Sequence, residues 1–309
     1  GDRLFAAVST GGAWMSEDLG DTWVEINGDL PATIVGSLAW TTAGGGRLVA
    51  VTGDGSFGGI TGFPGFGAWY TDDIGDRAPD QVRWTRASGV PDDALGFKVA
   101  VDPTAPNTVY VATSKGLFRS TDGGRSFRNA DLPTGSCAGV TDTLARPECQ
   151  LANVVTDVVV QQPGGTTGVT TPQVVAAVGW RGGTLQNADG TVQSEGNGIY
   201  RSTDGGATFA PTAMTGFTSK ERRGRLELGA AIGPDQDHGY LYAMVQDAVA
   251  LNAAGCAVLD APVDCSNGID PGLGIPLGSI NTVVDGVYAS PDFGETWIQV
   301  ASTETFQSP

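Results

Sequence analysis

The stretch Ser-Thr-Asp-Gly-Gly-Arg-Ser-Phe, "STDGGRSF" at residues 120–127, decides the fold of this chain because it does not occur alone. "SEDLGDTW" stands at 16–23, "STDGGATF" at 202–209 and "SPDFGETW" at 290–297, and all four read S-x-D-x-G-x-[ST]-[WF]. A worn copy, "TDDIGD", lies at 71–76 with Asp73 in the aspartate position and its aromatic delayed to Trp84. Repetition at this scale marks an array of like supersecondary units.

Outward from 120–127 the unit becomes visible. Upstream lie "GFKVAVDPTAPN", "TVYVATSK" and "GLFR", and downstream "SFRNADL". Turn residues separate four short apolar runs at 97–102, 108–113, 117–120 and 126–130, which predicts a four-stranded antiparallel sheet. Second strands recur at 4–10, 48–54, 109–115, 174–180 and 241–247, and third strands as "GAWMS", "GAWYT", "GLFRS", "GIYRS" and "GVYAS". First strands are expected at 37–43, 97–103, 155–161 and 226–232, and the first unit has none. Such sheets bury both faces only by stacking, so the expected fold class is all-β: a β-propeller of about five blades, near 1–28, 33–88, 95–131, 153–213 and 225–301, with 1–309 either a single domain closing a small ring or a fragment of a larger, incomplete one.

Within each repeated phrase the residue types suit a tight turn between third and fourth strands. Asp18, Asp122, Asp204 and Asp292 follow Ser16, Ser120, Ser202 and Ser290, and a short acceptor there bonds the N–H groups of its own turn. Gly20, Gly124, Gly206 and Gly294 supply positive φ. Trp23, Phe127, Phe209 and Trp297 are expected to be buried between blades. These residues are read as structural.

The phrase resembles the Asp-box, or BNR repeat, of sialidases, sortilin-type receptors, xyloglucan-cleaving glucanases and photosystem II assembly propellers. "VAVDPTAPNTVYVATSKGLFRSTDGG" at 99–124 is most similar to the sortilin and xyloglucanase style of blade. The sialidase hallmark "FRIP" is absent. The resemblance implies a propeller fold, and propellers of this group usually carry six or more blades.

Composition narrows the function classes. The 309 residues carry a formal net charge of −17, with 47 Gly and 17 Pro. That charge repels phosphate backbones and anionic headgroups, so neither nucleic acid nor a membrane is an expected partner. Four cysteines form two close pairs, Cys137 with Cys149 and Cys256 with Cys265, and with a single His, His238, a Cys/His zinc site is not expected. Two loop disulfides imply an oxidising, extracytoplasmic setting: secreted, periplasmic or cell-surface. No signal-peptide pattern opens the sequence, and no apolar run reaches the length of a membrane span.

Long connections sort to one end of the blades. Those at 53–67, 180–197 and 247–285 join second to third strands, and 132–153 crosses between blades; all four fall opposite the repeated turns. Long loops on one side of a rigid scaffold are where binding resides. Thr10, Asp54, Lys115, Trp180 and Asp247 end the second strands toward that side, with Arg181 next to Trp180, and these are the candidate ligand-face residues. A Trp–Arg pair suits a sugar ring or a planar side chain. The expected function is a binding or scaffold module for a protein or glycan. Its alternatives are a glycoside hydrolase resembling the xyloglucanases and a subunit whose ring other chains complete. Asp54 and Asp247 make a poor hydrolase pair, since glycosidase carboxylates stand roughly 5–9.5 Å apart and these end strands three blades apart. No cofactor is expected, although "DDIGDRAPD" at 72–80 and "DQDHG" at 235–239 offer oxygen ligands that Ca²⁺ would accept.

Overall fold

The structure, a computed structural model, describes residues 3–55, 62–166, 168–179, 196–250, 283–302 and 304–305. The described chain divides into two compact units, one up to Ala130 and one from Asp131 onward.

The first unit holds three sheets. Blade 1 consists of β1 (Leu4–Val8), β2 (Gly12–Ser16) and β3 (Val24–Glu25). Blade 2 consists of β4 (Val35–Thr41), β5 (Arg47–Thr52), β6 (Ala68–Thr71) and β7 (Thr85–Arg86), and blade 3 of β8 (Gly96–Val101), β9 (Val109–Thr113), β10 (Gly116–Ser120) and β11 (Arg128–Asn129). The second unit holds blade 4, with β12 (Val155–Val160), β13 (Val174–Val178), β14 (Gly198–Ser202) and β15 (Ala210–Pro211), and blade 5, with β16 (Arg223–Ala230), β17 (Leu241–Asp247), β18 (Val284–Ser290) and β19 (Ile298–Ser302). Every neighbouring strand pair is antiparallel and sequential. Among the described residues four sheets have four strands and the first has three, so the first strand absent from the first unit of sequence is absent from its sheet.

The alternation of side chains along the second strands explains their apolar character. On β5, Leu48 and Ala50 join Ala13, Met15 and Ile26 of blade 1, while Val49 and Val51 join Val99, Val109 and Val111 of blade 3. In the second unit Val175 and Ala177 of β13 meet Leu241, Ala243 and Val245 of β17. Burying each such side chain contributes about 1.5–3 kcal/mol relative to exposure, which makes sheet-on-sheet contact the main source of stability.

Two second strands depart from burial on both faces. On β1, Leu4 and Val8 are two-fifths exposed, and on β17 so are Tyr242 and Met244. The period of two places all four on the face turned away from the neighbouring sheet of their own unit.

The four full copies of the repeated phrase build one and the same turn. Each Ser hydroxyl donates to the Asp carboxylate two residues on, at 2.7–2.8 Å, and accepts the N–H of the Gly four residues on, at 2.7–2.8 Å. The Asp accepts the N–H and the hydroxyl of the following Ser or Thr at 2.5–2.9 Å. All four glycines have positive φ, from 72° to 104°. At Gly124 a Cβ would also come within 2.7 Å of Val49 Cγ2, so glycine is needed for the approach of blade 2 as well as for the turn.

The aromatics do not all behave as expected. Phe127 and Trp297 are buried, Phe209 is half-buried, and Trp23 is 39% exposed. Phe127 packs with Val49 and Val51 of the preceding blade, and Trp297 in the core that blades 4 and 5 share. Trp84 of blade 2 likewise packs on blade 1 and donates Nε1–H to the Ile26 carbonyl at 2.7 Å. Each of these rings lies against a sheet earlier in its own unit, whereas among the described residues no sheet precedes blade 1 in the first unit, and Trp23 is the more exposed. The worn copy differs too. Thr71 Oγ1 is buried without a partner, Asp73 lies 3.5 Å from Arg77, and Asp72 takes Arg47 instead.

Candidate functional site

Antiparallel succession puts every connection from second to third strand, and every crossing to the next blade, at the end of the sheet opposite the repeated turn. In the first unit the described residues at this end make several polar contacts. Asp54 is only 2% exposed and accepts the Ser9 hydroxyl, which ties blade 2 to blade 1, while its backbone pairs with Phe63 in both directions at 2.9 and 3.0 Å. Lys115 Nζ sits 3.3 Å from Asp93. Thr10 is exposed in the turn between β1 and β2.

In the second unit the crossing that precedes β12 is a built loop. Cys137 and Cys149 form a disulfide with Cα atoms 5.2 Å apart, inside the range such bridges need. Ala152 and Val140 pack on it. Asn153, buried, donates to the carbonyls of Cys137 and Val140 and accepts the Thr134 hydroxyl at 2.6 Å. One amide thereby satisfies groups from three points of the loop. At the neighbouring blade Asn197 donates to the Arg223 carbonyl at 2.9 Å, and Asp247 accepts Arg222 at 2.5 Å and the Ala250 N–H at 2.9 Å. Phe217 stacks on Tyr288 with centroids 3.7 Å apart, and the Arg223 guanidinium lies 5.8 Å from the Phe217 ring. Burial holds Arg223 below the usual arginine range and, with the Asp285 carboxylate beside it, pushes the Tyr288 hydroxyl up. Burial raises Tyr200 to about 12, and its hydroxyl donates to the Gly196 carbonyl at 2.8 Å.

The candidate residues therefore separate. Asp54 and Lys115 in the first unit and Asp247 in the second each have a protein partner at the end of their strand. Trp180, Arg181, Cys256 and Cys265 lie outside the described residues. In the two acidic runs Asp72 takes Arg47 and Arg125, Asp73 lies 3.5 Å from Arg77, and Asp237 accepts the Gly239 N–H at 2.7 Å. Among the described residues no group of three or more His, Cys, Asp or Glu side chains is placed to hold a metal ion. No helix among them is long and apolar enough to cross a membrane.

Asn153, Arg222 and Ser9 were not legible as site-building residues. Arg222 alone left a trace, since Lys220, Arg222, Arg223 and Arg225 concentrate positive charge within six residues of an acidic chain. A lone Asn or Ser in a loop carries no such signal.

Comparison with known proteins supports the fold. No family model matches the sequence, and no curated protein matches it. Among solved structures, the chain is similar to the GH74 xyloglucanase from Xanthomonas campestris, at a TM-score of 0.54 and 16% identity over 97% of this chain and 36% of that one. It is similar to an ancestral GH74 enzyme at a TM-score of 0.53 and 14% identity, over 97% of this chain and 33% of the other. YCF48 from Cyanidioschyzon merolae aligns at a TM-score of 0.39 and 13% identity, covering 97% and 82%. The chain spans about a third of the length of the two GH74 structures. The sheets are β-propeller blades, and at these identities the likeness extends to the fold alone.

Proposed function

We propose that the chain is an extracytoplasmic binding module that engages a protein or glycan through the loop-bearing end of its blades. The observation that carries this reading is the crossing at 132–153: a disulfide and a buried amide hold a loop whose length no strand connection requires. Rigid elaboration of one end of a repetitive scaffold is how such folds acquire recognition surfaces. The disulfide supports an oxidising compartment. The repeated turns, which resemble Asp-boxes, stand at the other end of the blades as fasteners.

The test is to replace residues 136–150 by a short Gly/Ser linker and screen both proteins against arrayed glycans and extracellular protein ligands. Binding lost by the shortened variant with its thermal transition retained supports the reading, and binding unchanged ends it. Release of reducing sugar from xyloglucan, abolished by substituting one acid at the loop-bearing end, would replace it with a hydrolase.

A further inference from the structure

Blades 4 and 5 are tied at the end that carries the repeated turns, and the tie runs through the chain's single histidine. His238 stands in the turn between β16 and β17 and is 3% exposed. Its carbonyl accepts the Gln161 side-chain N–H, just past the end of β12, at 2.9 Å. Blades 2 and 3 have a matching tie: Thr41, at the end of β4, donates to the Pro106 carbonyl in the turn between β8 and β9 at 2.6 Å. What blade 5 adds is the imidazole. Gly165, in the turn between β12 and β13, lies against it at φ 62°, and a Cβ there would come within 2.8 Å of the ring. Beside it the Thr166 N–H donates to the Gln236 carbonyl at 3.1 Å.

Both ring nitrogens face carbonyl oxygens. Nδ1 is 3.2 Å from the Gln162 carbonyl of blade 4, and Nε2 is 2.8 Å from the Gly233 carbonyl of its own turn. A carbonyl only accepts, so each contact needs an N–H on the ring. Neutral imidazole has one N–H; whichever tautomer it takes, a nitrogen lone pair opposes an oxygen lone pair across the other contact. The protonated ring has two and makes both bonds, each charge-assisted. Burial opposes the charge, and the surroundings favour it. Asp235 and Asp237 belong to its own turn, and Asp292 to the repeated turn whose Phe293 N–H donates to the Gly239 carbonyl at 2.7 Å. On blade 4, Gln161, Gln162, Gly165 and Thr166 meet this turn and carry no charge, while the cation Arg201 bonds Gln173 and pairs with Glu295 at 3.2 Å. The chain as a whole carries a net charge of −17, which also favours a retained cation.

We infer that His238 is a proton-operated clasp between blades 4 and 5. Taking up a proton completes the second hydrogen bond and fastens the two turns to one another; losing it releases the ring from one of them. The folded chain therefore binds more protons than the unfolded one across the imidazole range, and stability rises as pH falls through that range. The clasp makes this pair of blades tighter in mildly acidic surroundings than in neutral ones.

The test compares the 309-residue protein with His238→Gln, which keeps a donor and cannot titrate. Carboxylates are common to both proteins, so the comparison isolates the ring. The unfolding constant of wild type in urea, divided by that of the variant, is expected to fall about tenfold from about pH 8 to about pH 5. Over the same range the exchange protection of the Thr166 N–H is expected to rise in wild type and to stay level in the variant. The single histidine also gives a readout that needs no variant: long-range proton–nitrogen spectra at about pH 6 should show both ring nitrogens protonated and their N–H signals protected from solvent. A ratio that is constant or rises toward acid, or a ring with one bare nitrogen at about pH 6, overturns the inference.

Discussion

Arg47, 1% exposed at the start of β5, donates Nη1–H to the carbonyl of Gly123, 2.7 Å away in the repeated turn of blade 3. Its Nε–H donates to Asp72 at 2.5 Å, a second Nη1 bond reaches the Asp122 carbonyl at 3.1 Å, and the guanidinium stands 4.8 Å from the Tyr70 ring centroid. One buried cation thereby joins the turn of blade 3 to the worn turn of blade 2. Arg47→Ala is expected to cost about 3–5 kcal/mol, because two turn carbonyls and a carboxylate lose their buried donor. Urea unfolding at neutral pH measures the loss. A change below about 1 kcal/mol would show that water replaces the guanidinium without cost.

Phe127 and Trp23 occupy the same place in the repeat, yet one is 4% exposed and the other 39%. Phe127→Ala is expected to destabilise by about 3–5 kcal/mol and Trp23→Ala by less than about 1 kcal/mol. Paired denaturation curves test the contrast, and equal losses would mean that Trp23 has a cover in solution.

Acid should loosen the repeated turns late. Hydrogen bonds from the Thr22 side chain and backbone hold Asp18 at about 2, and those from Thr208 hold Asp204 at about 2, both below the ordinary 3.8. At Asp122 and Asp292 burial pushes upward, but bonds from Ser126 and Thr296 outweigh it and the net shift is also down. A carboxylate depressed on folding contributes stability that is complete above its unfolded value and disappears as pH falls through its folded value. Melting temperature is therefore expected to be flat in these groups' contribution above about pH 4 and to fall toward pH 2. Asp204→Asn should lower the plateau and flatten that acid limb, and an unchanged limb would assign acid sensitivity to other groups.

The Cys137–Cys149 bridge closes a loop with a sequence separation of 12. Cys137→Ser with Cys149→Ser is expected to cost about 2–3 kcal/mol, mostly through the greater freedom of the open chain. Amide exchange should rise at Ala138 and Val140, and loop exchange rates identical to wild type would show that Asn153 alone holds the crossing.

Local chemistry was readable where it acts over a few residues. β2, β10 and β14 begin and end where their motifs do, and the Ser–Asp–Gly–Thr bonds follow from a spacing of two to four residues. The loop-bearing end was readable only as topology. Asp54 at a strand end suggested a ligand contact, and its role as partner of Ser9, 45 residues away, had no sequence signature. Asp247 ends β17, and its engagement by Arg222, 25 residues earlier, depended on how the crossing into β16 turns back.

Sequence alone determined that the described chain builds five sheets of one pattern, the first with three strands, and that aspartate turns close one end of four of them. Those features rest on short-range hydrogen bonding and on a two-residue alternation that any segment carries with it. Tertiary structure decided which copies of a repeated residue do which work. Phe127 is buried and Trp23 is not, and Arg47 crosses from one blade to the next. Each of these outcomes depends on whether another sheet stands against that position, and identical local sequences experience different neighbours.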